Sequence, residues 1–259
     1  MSVPTISGAQ LGGAPELPLL IVGPSLGTPV GTLWSAAARR LAENYHVVGW
    51  DLPGHGASPP PRDAFTIADL AAGVIKLVDR TLGSRPFTYA GVSVAGAVGI
   101  QLLLAHPGRV LAAALICTAA RIGDPDDWHS RAQVVRNGGT GEVVSQSVKR
   151  WFAPGFFERD PESARALLDA LRRVDDDGYA RTCEALAEFD ARERLSEIDT
   201  PIVAVAGAHD IATPPDAVRF IATSVSRGRF VQVPNAAHLA PAEQPVQIAN
   251  VLATLKKWR

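Results

Sequence analysis

The chain has 259 residues, 47% of them hydrophobic, and a formal net charge of −1. That is enough apolar material for one large core, at the size of a single α/β domain with an insertion. Interspersed charges give no electrostatic basis for binding nucleic acid or an anionic membrane, and no apolar run is long enough to span a bilayer.

The start, MSVPTISGAQ, lacks the basic and apolar parts of a signal peptide. Cys117 and Cys183 stand far apart, without neighbours at metal-ligand spacing, and are expected to be reduced thiols. These features point to a cytoplasmic protein and show no cysteine-based metal site. Its expected partner is a small molecule rather than nucleic acid or membrane, and the sequence does not set an oligomeric state.

Residues Met1 to Glu16 give little strand signal. Leu17 to Val22 is a compact apolar run expected to form a buried strand, ending in the loop Gly23-Pro24-Ser25-Leu26-Gly27-Thr28. A helix is predicted over Trp34 to Asn44 and a strand over His46 to Trp50. The Gly-His-Gly turn that follows contains His55, which more naturally fixes a loop by hydrogen bonding than serves as a base. Thr66 to Leu82 repeats apolar residues at helical spacing, with Thr66 and Asp69 placed for a capping box.

Phe87 to Ala90 is a short strand, Gly91 to Gly96 a turn of small residues around Ser93, and Val94 onward a helix. Strand, sharp turn and helix make a nucleophile elbow. The turn projects the serine hydroxyl and offers the Val94 N–H at a helix N-terminus, where it can stabilise an oxyanion. The usual pattern is Gly-x-Ser-x-Gly, and here Ala95 takes the last place. The alternative is a serine that merely caps the helix.

Val110 to Ala119 is another apolar strand. Apolar strands alternating with helices predict an α/β fold, with a mostly parallel sheet covered on both faces and functional groups at its carboxyl edge. From Arg121 to about Arg192 strand signals vanish and aromatics gather, which reads as an inserted helical cap. Residues 121–192 are therefore assigned to a cap, and residues 1–120 and 193–259 to the core. Asp175-Asp176-Asp177 within the cap is expected to be a solvated turn. Ile202 to Ala206 and Phe230 to Val233 are the remaining strands, and Glu243 to Lys257 the closing helix.

Ser93, Asp210 and His238 fall just beyond three strand ends, in the chain order Ser, Asp, His. A serine needs a base to remove its proton, histidine can serve as one, and an aspartate fixes the tautomer of the imidazole. Asp210 is preferred to Asp199, which precedes its strand, and His238 to His209, which adjoins the acid. Leu26 is the expected second oxyanion donor, from the loop after the early strand. Trp128 and Arg131, spaced i and i+3, would share one helix face, and the spacing leaves open whether Arg131 is a solvated cation like Arg121 and Arg136 or lines a pocket.

The motifs DLPGHGAS, AGVSVAG, AHPGRV, PIVAVAGAHD and NAAHLAP resemble the α/β-hydrolase superfamily. The segment CTAARIGDPDDWHSRAQVVRNGG, with KRWFAP and the opening GPSLGT, resembles 3-oxoadipate enol-lactonases. The resemblance implies an α/β-hydrolase fold and hydrolysis of a small anionic lactone in aromatic catabolism, with no metal or organic cofactor. It implies Ser93, Asp210 and His238 as the triad, oxyanion donors at Leu26 and Val94, and substrate contacts at Trp128, Arg131 and Trp151. Other readings are a carboxylesterase, a carbon–carbon bond hydrolase or a cofactor-free perhydrolase of the same fold. Outside catalysis, a ligand-binding receptor on this scaffold is the alternative.

Overall fold

The structure, a computed structural model, describes residues 3–258. Its strands are β1 (Gly8–Gly12), β2 (Leu19–Gly23), β3 (His46–Trp50), β4 (Phe87–Val92), β5 (Val110–Ile116), β6 (Ile202–Gly207) and β7 (Gly228–Val233). They form one sheet in the order β1-β3-β2-β4-β5-β6-β7, parallel throughout except for β1 against β3. Strands β2 to β6 are buried almost along their whole length, which is why each reads as a continuous apolar run. The absence of a β1 signal has a physical cause. It is an edge strand, mostly exposed, that joins through backbone pairing such as Ala9 with Gly49.

Helices α1 (Val30–Leu41), α2 (Ile67–Leu82) and α3 (Val94–Ala105) connect the first strands. α1 starts earlier than its apolar pattern predicts because the Asp51 carboxylate accepts the Val30 N–H at 2.7 Å, a cap supplied from far along the chain. The box at α2 forms as expected: Asp69 N–H donates to Thr66 Oγ1 at 3.0 Å and Thr66 N–H to Asp69 Oδ2 at 2.9 Å. α3 is buried on nearly all sides rather than along one stripe. It lies close to the sheet because Gly99 has no side chain to meet Leu115 and Tyr89.

Between β5 and β6 run α4 (Pro125–Gly138), α5 (Val144–Trp151), α6 (Phe156–Arg159), α7 (Pro161–Leu171) and α8 (Asp176–Ala187). This segment leaves and rejoins the core side by side, where Ala191 N–H donates to Ala120 O at 2.8 Å. Phe152 stacks on Phe156 and meets Phe157 edge-on, a small apolar nucleus inside the segment. The aspartate triplet is not a solvated turn. Asp175 caps α8 by accepting from Gly178 N–H, Asp176 accepts from Thr140 N–H, and Asp177 pairs with Arg181.

α9 (Pro215–Ser224) precedes β7, and the chain closes with α10 (Ala240–Glu243), α11 (Pro245–Thr254) and a 3-10 turn at Leu255–Trp258. The single closing helix expected from Glu243 is thus broken at Gln244, ahead of Pro245, which cannot continue a helix. No helix among the described residues is long and apolar enough to cross a membrane.

Candidate active site

Ser93 sits between β4 and α3 with φ 57° and ψ −117°, a region costly for any residue with a side chain. The surroundings impose it. Ser93 N–H donates to Ile116 O at 2.9 Å, Thr118 Oγ1 donates to Ser93 O at 2.8 Å, and Tyr89 OH donates to Ala95 O at 2.8 Å. A Cβ on Gly91 would overlap the Ala95 carbonyl, so that position admits only glycine. Ala95 is accommodated because Gly23 stands opposite. A Cβ on Gly23 would lie 2.5 Å from that of Ala95. The Val94 N–H, at the helix start, has no hydrogen-bond partner among the described residues.

Asp210 and His238 are both buried and joined, His238 Nδ1–H donating to Asp210 Oδ2 at 2.9 Å. Asp210 Oδ2 also accepts from Thr213 Oγ1 at 2.7 Å, and Oδ1 from the N–H groups of Ala212 and Thr213 at 2.8 and 3.1 Å. Burial pushes this carboxyl up, but the His238 charge and these hydrogen bonds outweigh it and hold the group below its ordinary value. With Nδ1 engaged, His238 keeps Nε2 free for a proton among the described contacts. His209 is exposed and takes no part.

In the loop after β2, Ser25 N–H is taken by Thr28 Oγ1, Gly27 N–H by His55 Nε2 and Thr28 N–H by Ser25 O. Leu26 N–H is left without a partner among the described residues. His55 is entirely buried, its Nδ1–H donating to Pro53 O at 3.0 Å. Both ring nitrogens are spent on holding the loop, and burial lowers its pKa to about 4.

Ser93 and His238 face one cleft, which Ser25, Leu26, Trp128 and Trp151 also line. Two guanidinium groups enter it. Arg131 is built in: Nε donates to Tyr179 OH at 2.8 Å, with Gln146 and Ser147 each 3.2 Å away. Its partner ring is Tyr179, 5.7 Å to the centroid, rather than Trp128, whose Nε1–H is spent on Ile122 O. Arg150 was not anticipated. It lines the cleft with no ion pair or hydrogen bond among the described residues, and burial followed by repulsion from Arg131 lowers its pKa. A Lys-Arg pair near a helix end reads as a solvated terminus, and only its place before Trp151 hinted otherwise.

A strained serine at a strand end and a buried histidine–aspartate pair facing one cleft on this sheet define a hydrolase scaffold. The chain belongs to the α/β-hydrolase fold family, whose model matches residues 18–245. It is 34% identical over 245 residues to 3-oxoadipate enol-lactonase 2 of Acinetobacter baylyi, covering 95% of this chain and 91% of that one. The crystal structure of the enol-lactonase from Burkholderia xenovorans LB400 superposes with a TM-score of 0.92 at 28% identity, covering 97% of this chain and 96% of that one. A pimeloyl-[acyl-carrier protein] methyl ester esterase of Chromobacterium violaceum is 31% identical over 227 residues, 80% of this chain and 82% of its own. The expected likeness to enol-lactonases thus extends over nearly the whole chain.

Proposed function

We propose that the protein hydrolyses 3-oxoadipate enol-lactone to 3-oxoadipate, within the β-ketoadipate route of aromatic catabolism and in the cytoplasm. The observation that carries this reading is one cleft in which Ser93 and His238 face Arg150, unpaired among the described residues, beside Arg131. A small lactone bearing a carboxymethyl arm has a carbonyl for the first pair and a carboxylate for the second.

Ser93 Oγ attacks the lactone carbonyl while His238 Nε2 takes its proton, and Asp210 stabilises the imidazolium. The Leu26 and Val94 N–H groups receive the oxyanion. Collapse breaks the ring C–O bond, and the enol oxygen leaves with the proton from His238. The enol then relaxes to the ketone, which draws ring opening forward. Water, losing a proton to His238, attacks the acyl carbon, and Ser93 departs with that proton as the second carboxylate forms. Residues 121–192 serve as a cap that shields these steps from bulk water.

Turnover of the purified protein on the enol-lactone, followed by loss of its ultraviolet absorbance, tests the reading. Strong preference over neutral esters of similar size is the expected result. Equal or better turnover of a methyl ester lacking a second carboxylate would favour a general esterase instead.

A further inference from the structure

We infer that Glu243 is a positioning residue whose carboxylate couples the loop carrying His238 to the cap segment carrying Arg150 and Trp151. Its Oε2 accepts the Ala237 N–H at 2.7 Å, one residue before His238. Its Oε1 accepts the Ala153 N–H at 2.6 Å, just beyond α5. The same two segments touch once more, where Leu239 N–H donates to Trp151 O at 3.3 Å. One side chain therefore ties the base to the wall of the cleft that meets the substrate.

The role requires a carboxylate. Two N–H donors from different segments meet two oxygens, and only the ionised acid offers an acceptor on both. A glutamine would satisfy one donor and turn its NH₂ against the other. Glu243 is 5% exposed, so above its raised pKa of about 7 the charge stands where water cannot support it. A buried ion maintained against desolvation at a joint between two functional segments is expected where geometry matters more than stability.

The charged or titratable groups facing Glu243 are Arg159 from α6, His238 from its loop and Cys117 after β5. Burial, only partly offset by the two N–H bonds, raises the Glu243 pKa to about 7. Protonating it would weaken the hold on one donor, so the coupling should loosen as pH falls through that value.

The inference rests on the proposed Ser93–His238 chemistry, and glutamate-to-glutamine replacement tests it separately. In Glu243→Gln, the yield of active sites is counted with a serine-reactive phosphonate. kcat per site should fall by about tenfold or more on both the anionic lactone and a neutral ester. The acid limb of its kcat/KM profile should depend on one proton where the wild type depends on two. A wild-type kcat per site with an unchanged acid limb would overturn the inference, whatever happens to Tm. If the variant does not fold, the wild type still decides. A one-proton acid limb between about pH 5 and 7 contradicts the coupling, and a two-proton limb supports it. Ser93→Ala, run alongside, separates the two ideas. Its activity would sink the serine mechanism itself, whereas a dead Ser93→Ala beside a fully active Glu243→Gln removes only the role of Glu243.

Discussion

His55 Nε2 accepts the Gly27 N–H at 3.1 Å, and together with the bonds between Ser25 and Thr28 it fixes the loop in which Leu26 N–H has no partner among the described residues. The other face of the imidazole stacks on Tyr179, at 6.3 Å between centroids, and Tyr179 OH holds Arg131. A buried neutral histidine therefore connects the loop carrying Leu26 with α8, which carries Tyr179. His55→Ala should lower kcat by about tenfold or more with a smaller change in KM, because a free Gly27 N–H lets Leu26 turn away. Steady-state kinetics of the folded variant check this, and an unchanged kcat would remove Leu26 from the oxyanion site.

The two buried groups His55 and Glu243 pull the pH dependence of stability in opposite directions. His55 has its pKa lowered from 6.5 to about 4, so the unfolded chain binds the proton more tightly and stability is lost as pH falls from 6.5 towards 4. Glu243 has its pKa raised from 4.5 to about 7, so the folded chain binds the proton more tightly and stability is lost as pH rises from 4.5 towards 7. Each effect is on the order of 3 kcal/mol at full extent, at about 1.4 kcal/mol per unit. They offset in the wild type. His55→Ala should thus grow less stable as pH rises from about 5 to 7, and Glu243→Gln more stable, as read from urea midpoints across that range.

Most of the core was legible because a sheet covered on both faces demands apolar strands, and β2 to β6 supply them without interruption. Ser93, Asp210 and His238 were legible for a related reason: each follows a strand, and strand ends are where this architecture gathers side chains. Features held by distant partners left no local trace. β1 is paired through its backbone alone, α1 is capped by Asp51, and Arg150 looks like an ordinary terminal cation until the fold places it in the cleft. Glu243 reads as the first residue of a helix, whereas its bonds reach Ala153, far back in the chain.

The backbone of Ser93 makes stability and activity separable. Its positive φ of 57° is disfavoured for serine and nearly free for glycine. Ser93→Ala should lose activity by three orders of magnitude or more, roughly the scale seen when a triad nucleophile is removed, and should fold normally. Ser93→Gly should be equally inactive yet more stable by about 1 kcal/mol, since strain is relieved. Thermal melts beside activity assays distinguish the pair. A glycine variant that melts below the alanine variant would show that the elbow is not strained.

Arg131 and Arg150 differ in what else they do, and that difference sets the last expectation. Arg131 is hydrogen-bonded to Tyr179 and, at 3.2 Å, to Gln146 and Ser147, so it ties α4 to α5 and α8 as well as charging the cleft. Arg150 has no such commitments among the described residues, while its guanidinium is partly desolvated and repelled by Arg131. A carboxylate bound between them relieves both costs, which makes Arg150 the purer reader of substrate charge. Arg150→Met should raise KM, or lower kcat/KM, for the anionic lactone by about tenfold or more, roughly 1.4 kcal/mol, and spare a neutral ester of similar size. Arg131→Leu should cost at least as much on the lactone and also impair the neutral ester, because Tyr179 and the His55 stack behind it lose their support. Raising salt should weaken lactone binding in the wild type and weaken it less in Arg150→Met, where only Arg131 remains. Equal losses on charged and neutral substrates for Arg150→Met would mean that it shapes the cap and that the carboxylate is read elsewhere.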